Sequence, residues 1–128
     1  MRLLVDTHTF LWAIVGDRRL SKPAQAILAS FDSEVFVSAA SAWEIATKYR
    51  LGKLPEAETL MGSMRRIVEQ VGFQELPVSI EHAQRAGSLA GAHRDPFDRM
   101  LIAQAHAENL AVVSNERLFD SYGIRRIW

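Results

Sequence analysis

Short runs of apolar residues alternate with longer stretches in which apolar positions recur at helical spacing. The run Leu3-Leu4-Val5 predicts a buried strand that ends at Asp6. Similar runs predict strands at 34–37, 73–78, 109–113 and 124–128. Helical spacing, Ser, Asp and Pro starts and Gly stops predict the helices between them, at 10–15, 21–31, 38–51, 55–71, 79–90, from 95 onward, and in a short segment ending at 122.

This alternation predicts an α/β chain. Strands joined through helices form a mainly parallel sheet, here of four to five strands, with helices covering both faces. A length of 128 residues, 48% of them hydrophobic, suits one compact domain that spans residues 1–128.

Composition limits the cellular location and the partners that we expect. No apolar run approaches the roughly 20 residues of a membrane-spanning helix, so we expect no membrane partner. The chain has no cysteine, and its first residues do not resemble a targeting peptide, which together favour the cytoplasm. Fifteen basic residues balance fifteen acidic ones, so any nucleic-acid contact has to come from a local patch.

Acidic residues recur where strands end or helices begin. Asp95 followed by Pro96 predicts a helix start, and Asp98 falls on the same face of its first turn. Acids at this position commonly stabilise the helix dipole, so the pair alone does not indicate catalysis. The wider pattern is more informative, because functional groups of parallel α/β sheets gather at the carboxyl ends of the strands.

Three further acids are predicted near that edge. Asp6 closes the first strand, Glu44 lies on the helix after the second strand, and Glu116 follows the fourth. Each has a structural alternative: Asp6 and Glu116 suit helix starts, and Ser41 to Glu44 fits the S-x-x-E capping box. If Ser38 is the N-cap instead, Glu44 lies nearly two turns inside its helix and needs another role.

Several carboxylates brought together repel one another unless a cation lies between them. Without cysteine or a closely spaced histidine pair, an all-oxygen site favours Mg²⁺ or Mn²⁺ over zinc. Such ions bind phosphate groups and activate water, which points to phosphodiester chemistry.

Four motifs in series resemble a PIN-domain ribonuclease, and within that family the VapC-like toxins of type II toxin–antitoxin modules. They are VDTH at 5–8, SAASAWEI at 38–45, HRDPFDRMLIA at 93–103 and SNERLFDSY at 114–122. The resemblance implies a three-layer α/β/α sandwich with a parallel sheet. It also implies Mg²⁺- or Mn²⁺-dependent RNA cleavage and neutralisation by a cognate antitoxin encoded alongside.

The resemblance assigns roles to individual residues. It implies that Asp6, Glu44 and Asp98 are catalytic acids that bind the metal. Glu116 takes a catalytic position where the family usually has Asp, and its extra methylene leaves the number of metal ions open. Further candidates are Asp95, as metal ligand or helix cap; Thr7 and Ser38, which could hold a carboxylate or water; Asn115, near the phosphate; Arg94 and Arg99, as RNA contacts; and His8 and His93, beside the acids.

Other interpretations remain open at this point. One is a PIN fold that binds partners without catalysis. Another is a HAD-like phosphatase, although that signature has a second Asp where this chain has His8. We expect a homodimer, and tryptophans 12, 43 and 128 in the core rather than on a base-stacking surface. The basic residues 48, 50 and 53 form either a nucleic-acid margin or a solvated helix face.

Overall fold

The computed structural model describes residues 1–91 and 93–128. The strands in these segments are β1 (Arg2–Val5), β2 (Glu34–Ser38), β3 (Gln74–Leu76), β4 (Ala111–Val113) and β5 (Arg126–Ile127). The α-helices are α1 (Thr7–Val15), α2 (Lys22–Ala29), α3 (Ala39–Arg50), α4 (Met64–Gln70), α5 (Ile80–Ser88) and α6 (Pro96–Glu108). Two 3₁₀ helices cover Pro55–Leu60 and Arg117–Tyr122.

The five strands form one sheet in the order β3-β2-β1-β4-β5, and every neighbouring pair is parallel. Leu4 in β1 pairs with Phe36 on one side and with Val112 on the other. The strand order reverses between β1 and β4, so the connections after these two strands diverge. In a sheet of this kind, that divergence opens a crevice at the carboxyl edge, where ligands bind.

Alternation along β1 explains why Leu3, Leu4 and Val5 are all apolar. The side chains of Leu3 and Val5 belong to a core shared with helices α1 to α4, whereas Leu4 belongs to a core shared with α6. All three residues are fully buried. The predicted α/β fold, with helical layers on both faces of a parallel sheet, is therefore confirmed.

The predicted helix over 55–71 is wrong as a single element. The structure has the 3₁₀ helix Pro55–Leu60, then a break, then α4. At the break Met61 is extended and Gly62 has a φ of 83°, a left-handed conformation that a glycine adopts without steric cost. The apolar periodicity continues across the break, which is why it did not reveal the interruption.

The expectation that Trp43 lies in the core is also wrong. Its exposed fraction is 63%, and its ring meets the Phe97 ring edge-on at a centroid distance of 5.0 Å. Helix α3 turns Ile45 inward instead, which places Trp43 on the outer side of the helix. Trp12 and Trp128 do pack against the core, with ring centroids 5.9 Å apart.

Candidate active site

Asp6 lies directly after β1 and is nearly completely buried, with an exposed fraction of 4%. It is the N-cap of α1, and its Oδ1 accepts a hydrogen bond from the Thr9 N–H at 2.9 Å. Its Oδ2 accepts a hydrogen bond from the Ser114 hydroxyl. The chain itself therefore fixes the orientation of this carboxylate.

Ser114 follows β4, the strand beside β1, and is fully buried. Besides donating to Asp6, its Oγ accepts a hydrogen bond from the Glu116 N–H at 2.9 Å. One hydroxyl thus joins the ends of two neighbouring strands. Ser114 was not among the predicted site residues, although a polar residue directly after a buried strand was a usable signal.

Glu44 lies inside helix α3 rather than at its start. The N-cap is Ser38, whose Oγ accepts a hydrogen bond from the Ala40 N–H at 3.0 Å. The alternative that Ser41 caps this helix is therefore wrong, and Glu44 lies nearly two turns inside it. Glu44 is nevertheless buried. A glutamate is almost never fully buried unless its carboxylate is paired.

The two oxygens of the Glu44 carboxylate have different partners. The Thr7 hydroxyl donates to Oε1 at 2.7 Å, and Thr7 Oγ1 also lies 3.0 Å from the Ser41 hydroxyl oxygen. Lys48, one helical turn later, places its Nζ 2.5 Å from Oε2. Because Thr7 directly follows Asp6, one hydrogen bond connects the segment at the end of β1 to Glu44.

Asp95 and Asp98 form the start of helix α6. Oδ1 of Asp95 accepts hydrogen bonds from the N–H groups of Phe97 and Asp98 at 2.9 and 3.1 Å, so Asp95 caps the helix. Oδ2 of Asp98 lies 3.0 Å from His93 Nε2. The histidine therefore faces an acid, as its place in the sequence suggested.

Electrostatics place Asp98 in an acidic environment. Burial raises the pKa of its carboxyl above the usual range, and the hydrogen bond with His93 opposes this shift. The negative charges of Asp95 and Glu44 raise the pKa further. Glu44 and Asp98 therefore interact electrostatically, although they belong to different helices.

Most of the remaining predicted site residues are exposed, and one is hydrogen-bonded within the fold. Asn115, Glu116 and Arg94 are exposed. The Ser38 hydroxyl donates to Gln104 Oε1 at 2.5 Å. His8 is exposed, with its ring centroid 5.8 Å from that of Trp12.

Arg99 has a role within the fold. Its three guanidinium nitrogens donate to the backbone carbonyls of Ala86, Leu89 and His93 at 3.1, 2.6 and 2.9 Å. These bonds tie the segment before α6 to α5. Its role as an RNA contact stays a prediction, beside this structural role.

The donor chemistry of the acids suits a hard divalent cation, because oxygen ligands and accumulated negative charge are what such an ion requires. Within residues 1–91 and 93–128, however, no three acidic or histidine side chains are close enough together to form a ready-made metal site. Asp6 and Glu44 point at partners within the chain. Metal coordination by Asp6, Glu44 and Asp98 therefore stays a prediction.

Comparison with known sequences identifies a family and a relative. A model of the PIN domain matches residues 3–124. Ribonuclease VapC16 of Mycobacterium tuberculosis (strain ATCC 25618 / H37Rv) is 40% identical over 62 residues. That alignment covers 48% of this chain and 43% of the relative, less than half of either.

Solved structures resemble the chain over almost its whole length. The M. tuberculosis sarcin–ricin loop cleaving toxin VapC20 has a TM-score of 0.67 and 18% identity, and the match covers 95% of both chains. A toxin–antitoxin complex from Klebsiella pneumoniae has a TM-score of 0.60 and 16% identity, with 90% of this chain and 87% of that chain covered. At these identities the likeness concerns the fold alone.

Proposed function

The chain belongs to the PIN domain family, and from that premise we propose that it is a metal-dependent endoribonuclease toxin that hydrolyses RNA phosphodiester bonds. The partial match to the ribonuclease VapC16 supports this activity. Membership of this family argues against the HAD-like phosphatase.

A single observation carries the proposal. At the crevice of the sheet, the buried Asp6 is adjacent to Thr7, and Thr7 in turn holds the buried Glu44. Burying two carboxylates at one edge of the sheet lowers the free energy of unfolding, so the needs of folding do not explain this arrangement. The arrangement is instead typical of a site that uses negative charge.

Asp6, Glu44 and Asp98 are the residues that would hold Mg²⁺ or Mn²⁺. When bound, such an ion supplies activation of the attacking water and neutralisation of charge on the phosphate. Glu116 is exposed on the loop after β4, where a second ion or a water-mediated contact would involve it. Whether the site holds one ion or two therefore depends on Glu116.

The other residues orient these acids. Ser114 holds Asp6, Thr7 holds Glu44, and His93 Nε2 lies within hydrogen-bond distance of Asp98 Oδ2. Arg94 is exposed just before Asp95, where its planar guanidinium suits a phosphate of the RNA. Asn115 is exposed beside Glu116 and is a further candidate for a contact near the phosphate.

The activity is tested by incubating purified protein with total cellular RNA, with Mg²⁺ or Mn²⁺ and with a chelator, and mapping the new RNA ends. Asp6→Asn should abolish metal-dependent cleavage while keeping the fold, because Asn also serves as an N-cap. Asp32→Asn, the same change at an exposed residue before β2, is the matched control. Undiminished cleavage by Asp6→Asn would remove Asp6 from the mechanism.

An antitoxin partner is part of the proposal, since a similar fold occurs in a toxin–antitoxin complex. Co-expression with the protein encoded next to this chain should relieve any growth arrest and yield a stable complex. We also propose that the chain acts as a homodimer, which size-exclusion chromatography with light scattering measures directly. Unrelieved arrest together with no complex would argue against a toxin–antitoxin module.

The non-catalytic alternative has its own support. Glu116 is exposed, and no three acidic or histidine side chains in the described part of the chain are grouped for a metal. A protein of this second kind would bind partners but leave RNA intact with either metal. The cleavage assay above separates the two functions.

A further inference from the structure

The ion pair between Lys48 and Glu44 differs from a surface pair. Lys48 Nζ lies 2.5 Å from Glu44 Oε2, at i,i+4 spacing on helix α3. The Glu44 side chain is only 8% exposed, whereas the Lys48 side chain is 37% exposed. By contrast, Arg85 and Glu81 form an i,i+4 pair on α5 in which the side chains are 47% and 63% exposed.

Glu44 has a charged partner, Lys48, whereas the partners of Asp6 are neutral. Asp6 accepts its hydrogen bonds from an N–H and a hydroxyl, both of which are neutral. A carboxylate oxygen has lone pairs to spare, so neutral donors can stay in place while the same carboxylate binds a metal. An ammonium at 2.5 Å cannot stay, because its charge repels a divalent cation at the same oxygen.

The Lys48 side chain can move away from the Glu44 carboxylate. More than a third of its side chain is exposed, and four methylene groups let the ammonium swing into water. Glu44 keeps the Thr7 hydrogen bond at its other oxygen, so losing Lys48 does not release the carboxylate from its position.

We propose that Lys48 is a positioning residue, the counter-cation that neutralises Glu44 until a divalent cation displaces it. This inference rests on the proposed function, because it takes Glu44 as a metal ligand. Lys48 keeps the buried acid neutralised in the metal-free chain and lowers the affinity of the site for the metal.

The test is a Mn²⁺ titration of full-length protein without RNA, followed through the electron paramagnetic resonance signal of free Mn²⁺. Lys48→Met keeps an unbranched, helix-favouring side chain but removes the charge. We expect it to bind Mn²⁺ about tenfold more tightly, as loss of one adjacent positive charge at reduced dielectric should produce. Lys48→Arg retains the charge and should bind like wild type.

Two controls make the assignment specific. Arg85→Met breaks the exposed pair on α5 and should leave the Mn²⁺ affinity unchanged. In the Glu44→Gln background, the carboxylate that Lys48 neutralises is absent, so adding Lys48→Met should no longer tighten binding. Circular dichroism and thermal melting establish that each variant is folded before its titration.

The outcomes separate this inference from the proposed function. If wild type binds Mn²⁺ and Lys48→Met binds it equally or more weakly, Lys48 does not compete with the metal, and only this inference is overturned. Tightening by Arg85→Met as well would also overturn it, since the effect would not be local. If wild type binds no Mn²⁺, the metal-dependent function fails and the inference fails with it.

Discussion

The Ser114 hydroxyl donates a hydrogen bond to Oδ2 of Asp6, a residue 108 positions earlier in the chain. The bond joins the carboxyl ends of β4 and β1, where the sheet order reverses. Through it the fold orients one acid of the candidate site with a neutral donor, as it also does through the Thr9 N–H.

Replacing Ser114 with Ala should lower both stability and cleavage. The buried Oδ2 of Asp6 loses its donor, which costs about 1 to 3 kcal/mol of unfolding free energy. The carboxylate also loses its fixed orientation, so the cleavage rate should fall. Urea denaturation and the RNA cleavage assay measure the two effects. Ser121→Ala, at an exposed serine, is the control and should change neither; wild-type behaviour of both variants would show that the hydrogen bond contributes little.

Two threonines of helix α1 offer a matched pair for the same substitution. Thr7→Val removes the hydroxyl that donates to Glu44 and should cost about 1 to 3 kcal/mol, with reduced cleavage. Thr9→Val should leave stability unchanged or raise it by about 1 kcal/mol, because the Thr9 hydroxyl is buried without a hydrogen-bond partner in the described part of the chain. Thermal melting compares them, and equal losses in both variants would contradict the assignment.

The exposure of Trp43 predicts a small effect on stability. Trp43→Ala should cost less than about 1.5 kcal/mol, because little of the ring leaves the core. Phe10→Ala, at a fully buried ring, should cost about 3 to 5 kcal/mol. Denaturant unfolding of the two variants gives both values. A loss for Trp43→Ala as large as that for Phe10→Ala would mean that Trp43 is buried in solution, for example between two copies of the chain.

Local rules predicted those parts of the molecule that depend on neighbours in sequence. The five strands follow from apolar runs, and the caps at Ser38 and Asp95 follow from side chains that reach their own helix. The contact between Glu44 and Lys48 was also within reach, since i,i+4 spacing places the two on one helix face.

Other features depend on how elements pack. The contact between Ser114 and Asp6 requires the order of the strands, which no local pattern contains. The outward side of helix α3 depends on its rotation against the sheet, so the position of Trp43 was not predictable from its apolar character. The residue-level roles at the site remain predictions for the same reason, because they depend on a metal and an RNA.

The lowered pKa of Asp17 predicts that the turn after α1 contributes to stability in a pH-dependent way. Hydrogen bonds from the Arg19 side chain, and then from its backbone N–H, lower the pKa of Asp17 from 3.8 to about 2. The pKa is lowered in the folded state, so this contact stabilises the protein above pH 3.8 and is lost as the pH falls through about 2. A carboxyl-carbon NMR titration should give a midpoint near 2, and Arg19→Ala should move it upward. A midpoint that stays in place in Arg19→Ala would assign the shift to another cause.

Asp98 should show opposite effects on stability and function. Its charge is disfavoured by burial and by the charges of Asp95 and Glu44, so Asp98→Asn should raise the melting temperature of the metal-free protein. The same variant lacks a proposed metal ligand, so Mn²⁺ should no longer raise its melting temperature, and RNA cleavage should be lost. Asp120→Asn is the opposite control: its carboxylate pairs with Arg126 near the surface, so this change should not raise stability and should leave the Mn²⁺ effect intact. If Asp98→Asn melts lower than wild type without metal, the histidine hydrogen bond outweighs the repulsion. If Mn²⁺ still stabilises it fully, Asp98 is not a ligand.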